Sequence, residues 1–239
     1  REALLAENAL FLLEIVVENS EREALEGFSQ RILASAMEAY LSKSLDANTR
    51  RSALATLATS FAAAPQDVLA RSLEQIAAVL YRALLQEFVL GEALTALGAL
   101  LFYGLKGRAE APALFRSLFA PVLQRALQLV GQQPPPALEV LEGALSTLYY
   151  AVQLFEREAR VFASPQLFAR VLDFAAAPQP PPEESESDSA GEAAAPESLA
   201  RSYMAAAALH FLSQCLRHLP DLVHPPGHTA DVLLAALSG

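Results

Sequence analysis

The chain is 239 residues long and 53% apolar, with 17 basic and 27 acidic side chains and a net charge of −10. That length suits one compact domain or two small ones, and the acidity argues against free nucleic acid as an obvious partner. Alanine (47) and leucine (43) far outnumber valine, isoleucine and threonine together (22), which nearly excludes a β-sandwich or an α/β sheet, because strands draw on β-branched residues. The single cysteine, Cys215, leaves no internal disulfide framework. The expected fold class is all-α, soluble or assembly-bound.

The apolar residues recur at helical spacing almost throughout. A first helix over 2–18 places Leu5, Leu12, Leu13, Val16 and Val17 near one stripe, expected to face inward. Asn19 and Ser20 end it and cap the next, whose first turn is acid-rich (Glu21, Glu23) as helix N-termini favour. The second helix, 21–42, turns Leu25, Phe28, Ile32, Leu33, Met37 and Leu41 inward. Asp46 or Asn48 caps a third carrying Leu54, Leu57 and Phe61, and Pro65 ends it, since proline lacks the N–H and clashes with the preceding turn. A fourth spans 66–88, with Leu69, Leu73, Ile76, Leu80 and Leu84 inside.

The fifth helix, 90–103, presents Leu94, Leu97, Leu100 and Leu101. The uncharged, mostly apolar run 93–105 has 13 residues, short of the roughly 20 that span a bilayer, and reads as a buried helix. Gly104 and Gly107 bracket a turn, glycine tolerating the positive φ that ends helices. Pro112 opens a sixth helix, with Leu114, Phe115, Leu118, Phe119, Val122, Leu123 and Ala126 inside, a kink at Pro121 and an end at Gly131 and Pro134-Pro135-Pro136. A seventh, 137–158, carries Leu141, Leu145, Leu148, Val152 and Phe155, and Pro165 starts an eighth with Leu167, Phe168, Val171 and Leu172.

Residues 176–196 differ in kind, with five prolines, three serines and no aromatic, lysine or arginine. Such a stretch buries too little apolar surface to offset the entropy of ordering, so a disordered acidic loop is expected. A ninth helix, 198–219, carries Tyr203, Met204, Leu209, Leu212 and Leu216, and Thr229 caps a short tenth that ends at Leu237.

Paired, the helices fall into a rhythm. Val68-Leu69, Leu114-Phe115, Leu167-Phe168 and Val232-Leu233 open the second helix of successive pairs, at steps of 46, 53 and 65 residues, the last reduced to 44 once the 21-residue loop is removed. A period in the forties with two helices per unit is the mark of an α-solenoid, in which stacking buries the face that no pair buries alone. The expected organisation is a helical-repeat array over 1–175, an acidic linker over 176–196 and a helix pair continuing the array over 197–239.

The run from Glu92 to Tyr103 (EALTALGALLFY) followed by Ala113-Leu114-Phe115-Arg116-Ser117-Leu118 resembles the organellar helical-hairpin repeats of the heptatricopeptide, octotricopeptide, RAP and FAST-kinase-like proteins. Leu145-Ser146-Thr147-Leu148-Tyr149-Tyr150-Ala151 with Leu167-Phe168 is a second match, and the resemblance covers about 48–174. It implies a mitochondrial or plastid protein that contacts RNA or sits in an organellar ribosome. The chain departs from that family in its acidity and in lacking a C-terminal RAP-type α/β segment.

No motif carries chemistry. Gly-x-Ser-x-Gly elbows, P-loops and dinucleotide fingerprints are absent from the sequence, so neither an enzyme nor a cofactor is expected. Gly104-Leu105-Lys106-Gly107 has a Gly-x-x-Gly spacing but joins two helices. His210, His218, His224 and His228 cluster near Cys215 without a zinc-ligand spacing, so no metal is expected. Glu183-Glu184 falls in the expected loop, where Ser185 and Ser189 also fit an acid-directed kinase. Arg71, Arg82, Arg116, Arg125, Arg157, Arg160 and Arg170 lie on or beside the paired helices and are the candidate contacts to RNA or a protein partner, since the guanidinium fork suits phosphate and carboxylate alike.

Charge sharpens this reading. Residues 1–42 carry −5 and residues 176–239 carry −6, whereas 43–175 carry +1. The expectation is a non-catalytic scaffold subunit of a large organellar assembly, the mitochondrial ribosome foremost, meeting protein subunits and rRNA, its targeting peptide removed. The alternatives are a stand-alone RNA-binding repeat protein and a HEAT- or armadillo-like adaptor or respiratory-complex accessory subunit, in mitochondria or cytoplasm.

Overall fold

The computed structural model describes residues 2–25, 27–176 and 191–223, and every described element is helical or a turn. The chain divides into two compact units, Arg1–Arg125 and Ala126–Gly239. In the first unit the helices are α1 (Glu2–Asn19), α2 (Arg22–Leu25), α3 (Ser29–Leu41), α4 (Ala47–Ala63), α5 (Gln66–Ala83), α6 (Leu90–Leu105) and α7 (Ala111–Leu114). A π-helical turn (Phe115–Phe119) leads into α8 (Ala120–Gly131), which runs past the boundary; the second unit adds α9 (Leu138–Leu154), α10 (Glu156–Phe162), α11 (Pro165–Ala175), α12 (Gly191–His218) and α13 (Pro220–Val223).

The all-α expectation holds, and the packing within each unit is repeat-like. In the first unit α1 lies on α4 and α4 on α6, so that first helices of successive pairs are neighbours. The second helices α3 and α5 pack on the following first helices, α4 and α6. The second unit uses the same scheme: α9 lies on α12, and α11 packs on α12.

Local signals account for most boundaries. Asp46, of the two candidate caps, is the one used: its Oδ1 accepts from the Thr49 amide at 2.9 Å and from the Thr49 hydroxyl at 2.8 Å. These bonds hold the Asp46 carboxyl below the usual carboxylate range. The stability the cap supplies is therefore fully present above the ordinary carboxylate pKa and lost as pH falls through the lower value of the folded state. An Asp46→Asn variant, which keeps an N-cap but cannot titrate, should show a shallower loss of urea midpoint than the parent between about pH 5 and pH 2; parallel curves would overturn this role.

Several expectations need correction. The second helix is not continuous over 21–42: α2 and α3 are separate, and Phe28, expected inside, is exposed between them, as is Leu41 at the end of α3. The fourth helix stops at Ala83, and the stretch to Phe88 passes through a 3₁₀ turn (Glu87–Val89) held by Arg51, whose Nε donates to the Phe88 carbonyl at 2.7 Å. The seventh helix stops at Leu154, and α10 follows as a separate element after Phe155. Gly104 is no turn residue but a buried part of α6, where an added Cβ would stand 3.0 Å from Leu73 Cδ1. Glycine lets α6 approach α5 there, while Gly107, at φ +78°, makes the turn. The ninth helix begins at Gly191, inside the stretch expected to be a loop, while 177–190 and the expected tenth helix lie outside the described residues.

The expected kink at Pro121 takes the form of the π-helical turn just before it, closed by the Ala120 amide donating to the Phe115 carbonyl. Proline cannot donate to the carbonyl four residues back, so the helix re-registers there. Side chains take up neighbouring carbonyls: Arg116 donates to Pro112, Ser117 to Leu114 and the Tyr81 hydroxyl to Leu118.

The segment Glu87–Leu105 is long and apolar enough to cross a bilayer by composition alone, yet 72% of its most apolar window is buried within the protein. Ala93, Leu94, Ala96, Leu97, Leu100 and Leu101 have no exposed surface. A helix apolar all round belongs to a core or to a membrane, and here neighbouring helices cover it.

Candidate interaction surfaces

The first helix departs furthest from expectation. Leu10 and Val17 are its buried apolar residues, with Leu13 half-buried, and they face α4 and the α2–α3 corner. The Thr56 hydroxyl of α4 reaches the Leu10 carbonyl at 3.3 Å. Leu5, Leu12 and Val16, expected inward, point out, and Leu4, Phe11 and Ile15 join them. These six residues are 39–63% exposed. Of the expected stripe, Val17 and Leu13 do turn inward while Leu5, Leu12 and Val16 do not, because α1 is apolar on nearly every side and periodicity could not say which side meets α4.

The second unit holds a groove of about 300 Å³ between α9 and α12. Glu142, Ser146, Tyr149 and Tyr150 share one side of α9 at helical spacing, opposite Ala206, Ala207 and His210. The two tyrosine rings meet edge to face at 5.0 Å, and Tyr149 lies 6.2 Å from the His210 ring. The alanines of α12 leave the space that larger side chains would fill. Sequence reasoning missed this groove, although Tyr149-Tyr150 stood in a repeat-like run. Its volume sits at the lower bound of the roughly 300–1,000 Å³ typical of ligand pockets.

The seven candidate arginines do not form one cluster. On α5, Arg71 pairs with Asp67 one turn away at 2.7 Å, and Arg82 lies near the Tyr40 phenol, whose pKa burial raises against the opposing charges of Arg50 and Arg82. Arg116 is tied to the Pro112 carbonyl, and Arg125 and Arg157 are exposed. Arg160 bridges Glu156, one turn away on α10, and Asp221, which joins α10 to α13. Arg170 donates to the carbonyls of Val130 and Gln132 and stacks on the Phe174 ring at 4.7 Å, so it fastens the α8–α9 loop to α11. Arg71, Arg116, Arg160 and Arg170 thus have structural partners.

Among the described residues no group of three or more His, Cys, Asp or Glu side chains converges as metal ligands, and His224 and His228 lie outside them. Cys215 has no exposed surface, and burial pushes its thiol pKa up to about 12. The neutral thiol is favoured in the fold, a contribution fully present below the ordinary thiol pKa and lost as pH rises toward 12. Cys215 should therefore resist Ellman's reagent at pH 8 in the native protein and react fully in guanidinium; rapid native labelling would contradict the packing of α12. Compared with known families, curated proteins and solved structures, the chain matches none.

Proposed function

We propose that the chain is a non-catalytic scaffold of the α-solenoid kind that docks into a larger assembly through the outer face of α1. The observation that carries this reading is the apolar surface of Leu4, Leu5, Phe11, Leu12, Ile15 and Val16 on one helix. Contiguous exposed apolar surface of this kind marks interaction sites in folded proteins. The repeat-like stacking of first helices on first helices supports the scaffold role, since helical-repeat proteins offer helix faces to partners. The structural ties of Arg71, Arg116, Arg160 and Arg170 favour protein over RNA as the principal partner. On the repeat resemblance, the assembly we propose is organellar, with the mitochondrial ribosome first.

Sedimentation of the endogenous protein tests this. It should travel with a large particle and shift to the size of the free chain when Phe11 and Leu12 are both replaced by serine. A wild-type protein found only as a free monomer would overturn the scaffold reading, and release by ribonuclease alone would favour the RNA-binding alternative.

A further inference from the structure

The exposed side of α1 is ordered in rows. Leu4, Phe11 and Ile15 form one, and Leu5, Leu12 and Val16 a second, each at i, i+7 and i+11. Asn8 is exposed between them. Two apolar rows with a single polar residue in the seam are what one helix offers another, the polar residue fixing register. Glu7, Glu14 and Glu18 repeat the same spacing in a third row directly beside Leu4, Phe11 and Ile15.

Charge selects the occupant. Glu14 and Glu18 are like charges one turn apart, which destabilises a helix. The Glu14 carboxyl is held above its usual range, first by burial and then by Glu18. Among the described side chains none of the three acids pairs with a base. A second copy fits poorly: residues 1–42 carry −5, and an antiparallel two-fold pair would bring both acid rows to the same side of the seam. An anionic lipid surface is repelled by the same charge.

We propose that α1 docks a basic amphipathic helix of a protein partner, whose apolar stripe covers the Leu4 and Leu5 rows and whose lysines or arginines run along Glu7, Glu14 and Glu18. This rests on the docking role proposed above and adds the chemistry of the partner. Helix-in-groove recognition of this type reads i, i+3, i+4 and i+7 anchors, with flanking charges setting partner choice.

The test titrates the full 239-residue chain into two labelled helical peptides of α1 length with the same leucine seam, one flanked by lysine and the other by glutamate. The lysine peptide should bind about tenfold tighter or better at low salt, a preference that salt erodes. Glu14→Gln with Glu18→Gln should remove most of that preference. Phe11→Ser with Leu12→Ser should abolish binding of both peptides while circular dichroism stays unchanged, since both side chains are exposed. Equal binding of the two peptides would overturn the basic-helix proposal and leave the docking role standing. Self-association, or binding to phosphatidylcholine vesicles, that the serine variant abolishes would assign the face to a second copy or to lipid, and would overturn it too. Binding of neither peptide, with no co-sedimentation of the endogenous protein, would sink both readings.

Discussion

Replacing Phe211 by alanine should cost the second unit about 3–5 kcal/mol, the range for removing a large aromatic side chain from a packed interior. Phe211 has no exposed surface and sits on α12, the helix against which both α9 and α11 pack. With α9 and α11 both packed on α12, the surroundings relax only partly into the space it leaves, so the cavity term adds to the lost transfer energy. Urea unfolding followed by circular dichroism measures the loss. A cost below about 1 kcal/mol, the level of an ordinary substitution, would mean that α12 is not seated as described.

In the first unit, Leu97→Ala should cost about 2–5 kcal/mol, whereas Leu12→Ala should stay within about 0.5 kcal/mol. Both remove the same atoms from a leucine in the middle of a helix. Leu97 is fully covered on α6, which has α4 on one side and α5 on another, and Leu12 is 61% exposed on α1. The comparison isolates burial from residue type and helix propensity. Comparable losses at the two sites would place the outer face of α1 inside a core and remove the surface on which the proposed docking depends.

Legibility in the sequence varied with the number of independent signals at each position. Asp46, Pro65, Pro112 and Pro165 mark helix starts or stops through backbone chemistry that acts over one turn, and each lies at the boundary it announced. Leu54, Leu57 and Phe61 on α4 and Leu141, Leu145 and Leu148 on α9 are buried as their spacing requires. Phe28, Leu41 and the Leu5, Leu12 and Val16 row are exposed, because an apolar residue at a helical interval says only that some face is apolar. Residue type and spacing alone single out the candidate arginines. Arg160 and Arg170 instead close contacts 61 and about 40 residues away, and no local pattern shows a partner at that separation.

The amino-acid sequence by itself determined the fold class, the approximate helix positions and the concentration of acid at the two ends. Composition and period act residue by residue and need no neighbour. Only the tertiary structure decided which side of α1 lies on α4 and which stays open, that Gly104 admits close helix packing rather than a turn, and that Tyr149 and Tyr150 border a groove with α12. Each of these depends on which surface a second helix happens to cover. A helix apolar on nearly every side, such as α1, leaves that choice to packing.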